Sequence, residues 1–240
     1  MKMNNIKILV VGESTLCVEF GNRIAADINA GIRDLNQRIN AEKIAGVVET
    51  VPTFRSLMVY YDCQKTSHKK MTKKIKQLLR QLAVETTTEK VIIEIPVCYD
   101  AEFSPDMQNV CAHTKLSREE VIALHSGTDY LIYMLGFLPG FAYLGGMDKR
   151  LYTPRLATPR VKIEAGAVGI GGEQTGIYPL ASPGGWQLIG KTPVKPYDPN
   201  REKPLLYQAG QYIRFVPINA AEYASIESQV AQGLYSCKKY

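Results

Sequence analysis

The densest group of chemically useful residues is the run Leu135-Gly136-Phe137-Leu138-Pro139-Gly140-Phe141-Ala142-Tyr143-Leu144-Gly145-Gly146. Its glycines, Gly140 and Gly145 among them, let backbone approach a ligand or another chain, and Phe137, Phe141 and Tyr143 supply an apolar wall. A tightly turned barrel corner would use the same residues. Arg155 and Arg160 follow, each beside a proline. A stiffened backbone there holds a guanidinium ready for a carboxylate or phosphate, so the two read as an anion clamp, with surface arginines on a stiff loop as the alternative. His125 closes an expected helix just before Ser126-Gly127 and a strand leading into the glycine-rich run. A partly buried imidazole with a near-neutral pKa moves protons or hydrogen-bonds a carbonyl, although an ordinary helix-end histidine has the same spacing. His68 sits among lysines and reads as exposed, and His113 reads as structural.

Gly185-Trp186-Gln187-Leu188-Ile189-Gly190-Lys191-Thr192 matches the phosphate-loop pattern G-x-x-x-x-G-K-T. That loop works by handing phosphates to the N-terminal amides of a following helix, and Pro193, Pro196 and Pro199 forbid one here. The segment reads instead as a strand from 186 to 189 between two glycine turns. Gly166, Gly169, Gly171 and Gly172 likewise lack the helix of a dinucleotide fingerprint. With no G-x-S-x-G elbow and three histidines in all, hydrolysis by this chain alone has little to rest on.

The elements that position these residues fall into two textures. Residues 6–11 and 15–20 read as strands about a Gly12-Glu13-Ser14 turn, and Ile24, Ile28, Ile32, Leu35 and Ile39 give a helix capped by Asn22. Strands over 44–51 and 57–62, a basic helix with Ile75, Leu78, Leu79 and Leu82 on one face, and a strand over 91–97 complete a ββαββαβ order. This predicts an α+β domain over residues 1–97. Beyond it, Ser104-Pro105-Asp106 and the capping box Ser117-Arg118-Glu119-Glu120 announce two short helices. Short strand-like pieces then alternate with Gly and Pro clusters, which predicts a mainly β barrel or sandwich over 98–240. Residues 220–230 read as a terminal helix and 236–240 as a loose polar tail.

A 240-residue chain with 45% hydrophobic and 22% charged residues is that of a folded protein. The net charge of +6 sits between Lys65 and Arg80, where seven basic residues occur with no acidic one. They form the wet face of the basic helix, or a docking surface for an acidic partner, and no interleaved aromatics suggest nucleic acid. Five scattered cysteines without a C-x-x-C suggest neither a disulfide framework nor a metal site, and fit a reducing cytoplasm. The apolar run from Ile6 to Val11 is too short for a membrane span or signal-peptide core.

At Tyr133-Met134-Leu135-Gly136-Phe137 with Pro139-Gly140-Phe141, Leu144-Gly145-Gly146-Met147, Pro154-Arg155, Pro159-Arg160, Gln174-Thr175-Gly176-Ile177-Tyr178-Pro179 and Ser182-Pro183-Gly184-Gly185-Trp186, the chain resembles the KipI family. That family is also called the 5-oxoprolinase B subunit (PxpB) or allophanate hydrolase subunit 1. The resemblance implies a cyclophilin-like C-terminal barrel and two partners, a KipA-like subunit (PxpC) and a LamB/YcsF-type subunit (PxpA). Together they would cleave 5-oxoproline to glutamate with ATP, the nucleotide being used by the complex and not bound by this chain alone. A binding role as inhibitor of a sporulation histidine kinase is the alternative. Under the enzyme reading, Arg155 and Arg160 hold a carboxylate or phosphate beside Phe137, Gly140, Phe141 and Gly145. Gln174 and Tyr178 then hydrogen-bond the ring amide, His125 relays a proton, and Trp186 anchors a partner.

Overall fold

In the computed structural model, which describes residues 6–82 and 90–240, the chain falls into two units, residues 1–89 and 90–240. The first contains the strands β1 (Lys7–Val10), β2 (Thr15–Glu19), β3 (Val47–Pro52) and β4 (Ser56–Tyr61), joined as an antiparallel sheet in the order β1-β2-β4-β3. Strand alternation turns Leu16, Val18, Leu57 and Val59 to one face. There they meet Ile28, Ile32, Leu35 and Ile39 of α1 (Ala26–Ala41) and Met71, Ile75, Leu78 and Leu79 of α2 (His68–Leu79). The helix expected to be capped by Asn22 begins later, after Ala25. Gly21 at φ 129° is still turning the chain off β2, and its carbonyl is held by Arg55, so the first helical turn cannot form at that point. In α2, Ser67 caps the Lys70 amide, while Lys69, Lys73, Lys76 and Arg80 stay exposed.

The second unit is built on β5 (Ile92–Cys98), β6 (Asp129–Leu135), β7 (Ala142–Gly145), β8 (Arg160–Ile163), β9 (Ala167–Gly171), β10 (Gln174–Ile177), β11 (Ser182–Gly184), β12 (Gln187–Lys191) and β13 (Tyr212–Ile218). Seven of these form a mixed sheet in the order β10-β9-β12-β5-β13-β6-β7, while β8 and β11 pair as a separate ribbon. The end strands β7 and β10 lie against each other, so the sheet is a nearly closed barrel. Ile93, Ile95, Tyr130, Ile132, Val168, Ile170, Ile189 and Phe215 fill it.

The strand expected to close the first segment, over 91–97, lies instead at the centre of this second sheet. Its continuous apolar run suits a strand covered on both faces, and it pairs in parallel with β13, Ile92 opposite Tyr212 through Cys98 opposite Ile218. Residues 238–240 are not a loose tail. β12 reaches β5 only at Cys98, which leaves the other half of that edge open, and the chain end fills it. The Ile92 amide donates to the Tyr240 carbonyl at 2.7 Å and the Glu94 amide to the Lys238 carbonyl at 3.0 Å.

The helices of this unit are α3 (Met107–Thr114), α4 (Arg118–Ser126) and α5 (Ala220–Ala231). The Ser117/Glu120 capping box forms as expected, and a second one, Asn219 with Glu222, starts α5. α3 starts two residues beyond Pro105, because the Ser104 hydroxyl is spent on the carbonyls of Tyr99 and Asp100.

Candidate functional site

Outside the main core, Phe141, Ile163, Tyr178, Trp186 and Leu188 form a second apolar cluster. It walls a cleft of about 160 Å³. Three chain segments converge on it: Phe137, Phe141 and Tyr143 from the glycine-rich run, Arg155 from the loop before β8, and residues of β10 to β12 including Gln174, Tyr178 and Trp186. Phe141 meets Tyr143, Tyr178 and Trp186 edge-on with ring centroids 5.2, 5.9 and 5.7 Å apart, a packing that fixes all four rings. The Trp186 indole lies directly over Gly171, where any side chain would overlap its ring. With 6% of its surface exposed, Trp186 is a wall of the cleft and not a projecting anchor.

Phe137 is held differently. Its φ is 67°, and the Leu138 amide donates to the Gly136 carbonyl at 2.8 Å, a γ-turn of the strained, positive-φ kind. The turn pushes the ring outward, 65% exposed, over the Phe141 ring at the mouth of the cleft. A bulky residue in this backbone region carries strain that the surroundings must enforce.

Arg155 is exposed at the cleft, and among the described residues its guanidinium makes no hydrogen bond or ion pair with protein. Its backbone, by contrast, is tied on both sides: the Leu156 amide donates to the Gly185 carbonyl at 2.7 Å, and Gln187 Nε2 donates to the Pro154 carbonyl at 3.0 Å. The result is a cation whose backbone is positioned at the mouth of an apolar, partly enclosed volume. Burial raises the Tyr178 hydroxyl above its ordinary pKa, opposed by the Trp186 backbone N–H and the charges of Arg155 and Arg160. Tyr178 therefore stays protonated at neutral pH and can donate as well as accept.

Arg160 lies behind this wall. Its Nη2 donates to Asp106 Oδ1 at 2.7 Å, and its Nη1 lies 3.5 Å from the Trp186 carbonyl. The expected two-arginine clamp is thus one arginine in the cleft and one in a structural ion pair. Asp106, read from sequence only as an acid at a helix start, is a buried partner that sequence could not reveal, since its contacts come from β8 and β12.

His125 does not reach the cleft. It is 0% exposed, stacked on Phe215 at 4.5 Å, with Nδ1 2.7 Å from the Tyr99 hydroxyl and Nε2 2.7 Å from Thr175 Oγ1. Burial pushes its pKa down to about 3, so the ring is neutral and fully engaged. Gly140 and Gly145 also serve packing. The Gly140 carbonyl accepts from the Tyr207 hydroxyl at 2.8 Å with its α-carbon against Tyr197, and Gly145 lies flat on the Tyr133 ring.

The segment 185–192 enters β12 directly, and the next helix after Thr192 is α5. Among the described residues no three His, Cys, Asp or Glu side chains converge as a metal site, and the five cysteines are free. No helix among them is long and apolar enough to cross a membrane.

Residues 6–207 match the model of the carboxyltransferase domain, subdomain C and D. The chain is 38% identical to the 5-oxoprolinase B subunit of Bacillus subtilis over 91% of its own length and 95% of that protein's. It is 44% identical to the 5-oxoprolinase B subunit of Haemophilus influenzae over 71% of its length and 79% of that protein's. Among solved structures, the K. lactis urea amidolyase matches with a TM-score of 0.79 at 19% identity, covering 98% of this chain but 16% of that much longer one, a likeness of fold.

Proposed function

Because the chain belongs to the family of 5-oxoprolinase B subunits, within the carboxyltransferase domain, subdomain C and D, we propose that it is the B subunit of a cytoplasmic, ATP-dependent 5-oxoprolinase. The observation that carries the reading beyond kinship is the cleft, which Arg155, without an ion-pair partner among the described residues, lines together with Gln174, Tyr178 and an aromatic wall. A cyclic amido acid offers one carboxylate and one ring amide on a small apolar frame. Arg155 suits the carboxylate, and Gln174 and Tyr178 supply the donors and acceptors that a lactam N–H and carbonyl require.

An unstrained lactam is a poor electrophile, and ATP supplies the chemistry of turning its oxygen into a phosphorylated leaving group. This chain's part is to bind, orient and exclude water. The strand at Gln187–Lys191, with no helix directly after Thr192, argues that nucleotide is held elsewhere in a complex with KipA-like and LamB/YcsF-type subunits, so the chain would be inactive alone. We read the barrel as cyclophilin-like. Phe137, forced outward at the cleft mouth, and not Trp186, is then the aromatic positioned to meet a partner.

The test is co-expression with both candidate partners, followed by affinity purification and an assay of glutamate release from 5-oxoproline with and without ATP. Release that needs all three chains and ATP supports the reading. A purified three-chain complex with no such release would refute it and favour the kinase-inhibitor alternative, to be assayed on autophosphorylation of a sporulation kinase.

A further inference from the structure

The hydrogen bonds around His125 run in one direction only. Thr175 Oγ1 lies 3.0 Å from the Gly169 carbonyl, and a carbonyl can only accept, so the single hydroxyl proton of Thr175 is committed there. The 2.7 Å contact between Thr175 Oγ1 and His125 Nε2 must then be donated by the imidazole. A neutral imidazole has one N–H, so Nδ1 is bare and accepts from the Tyr99 hydroxyl at 2.7 Å. A chain of donors thus passes from Tyr99 through His125 and Thr175 to the Gly169 carbonyl on β9. The Tyr130 hydroxyl fixes the other end of the residue by donating to the His125 carbonyl at 2.8 Å.

The chain ends next to the cleft. Thr175 and Gln174 are neighbours on β10, so alternation sends the Thr175 side chain into the core and the Gln174 side chain to the opposite face, where it lines the cleft. β10 is the terminal strand of the sheet, paired through its backbone with β9 alone. The turn that leads into it, Gly172-Glu173, has Gly172 at φ 68° and, among the described residues, is held by backbone alone, the Gly172 amide donating to the Thr153 carbonyl at 2.8 Å. From this we propose that His125 is a positioning residue: by donating to Thr175 it locks the terminal strand β10, and with it the Gln174 amide, in register with the substrate. The role rests on the reading of the cleft given above and replaces proton relay, since His125 neither touches the cleft nor has a free nitrogen.

Replacing His125 would leave a core cavity and risk unfolding, so Thr175 is the better lever. Two measurements separate the possibilities. In the chain alone, labelled with 15N-imidazole, His125 is expected to show a protonated Nε2 and a bare Nδ1. An Nδ1–H tautomer or an imidazolium at pH 7 would overturn the donor chain whatever the activity. In the reconstituted complex, Thr175→Val is expected to lower kcat/KM on the order of 10- to 100-fold, the cost of a displaced positioning group, and Thr175→Ser to restore most of it. If the effect passes through Gln174, adding Thr175→Val to Gln174→Ala costs nothing further. Full additivity of the two substitutions, or wild-type kinetics in Thr175→Val, would refute the positioning role. A wild-type complex without activity would instead contradict the proposed function and leave the tautomer measurement to decide the donor chain.

Discussion

Asp106 clamps the back of the cleft by accepting from Arg160 Nη2 with one carboxylate oxygen and from the Leu188 amide with the other, both at 2.7 Å. One buried side chain thereby joins the start of α3 to β8 and to β12, the strand that follows Trp186. An ionised carboxylate is tolerable at this depth only while both partners are present.

Arg160→Ala should therefore act first on stability. Leaving Asp106 buried beside a single amide should cost about 2 to 3 kcal/mol, less than a fully buried pair because the Arg160 side chain is 31% exposed. Urea unfolding of the variant should show a lowered midpoint with an unchanged m-value. A shift smaller than about 0.5 kcal/mol would mean that the pair is no more than a surface contact.

His125 makes stability depend on pH in a defined window. Its folded pKa is lowered to about 3 from an ordinary value of 6.5, so between these limits the unfolded chain takes up a proton that the folded chain refuses. The stabilisation is complete above about pH 6.5 and is lost as pH falls toward 3, by up to about 1.4 kcal/mol per unit. Asp129, held low by its hydrogen bond to Arg214, and Asp148, held low by Arg150, lose their contributions only below the ordinary carboxylate range. Unfolding free energies that stay flat between about pH 6.5 and 4.5 would contradict the buried neutral imidazole.

The phosphate-loop pattern should prove inert. Lys191→Ala should leave the fold intact, and the isolated chain should give no saturable ATP signal in calorimetry, because residues 187–191 are a strand and no helix follows Thr192 directly. Tight ATP binding abolished by Lys191→Ala would overturn this.

What sequence could reveal was local. The Ser117 capping box contains its own geometry and forms where expected, and the period of Ile28, Ile32, Leu35 and Ile39 gives a helix that starts later than the Asn22 cap and leaves Ile24 outside it. The strand expected over 91–97 forms as β5 but joins the second sheet, because an apolar run of strand length says nothing about its partner, and the partner, β13, comes from the far end of the chain. The same limit divides the candidate site. Phe137 and Phe141 are legible as glycine-framed aromatics, Arg155 as half of a clamp, and Gln174, Tyr178 and Trp186 through the family resemblance, and all six line one cleft. For Arg160 and His125 the sequence leaves a functional and a structural alternative open, because what they do depends on Asp106, Tyr99 and Thr175, whose proximity only the folded barrel creates. Gly140 and Gly145 were read as room for a ligand, but the room is taken by Tyr197 and Tyr133.

The most direct test of the account is the rate of ATP-dependent glutamate release by the reconstituted complex carrying Arg155→Ala, measured beside the wild type over a range of 5-oxoproline concentrations. The guanidinium has no partner to lose among the described residues, so the variant should assemble and unfold like the wild type. Its kcat/KM should nevertheless fall about 10- to 1000-fold, the usual cost of removing a placed charged contact. An Arg155→Ala complex that assembles normally and turns over 5-oxoproline at the wild-type rate would contradict the placement of the substrate in this cleft.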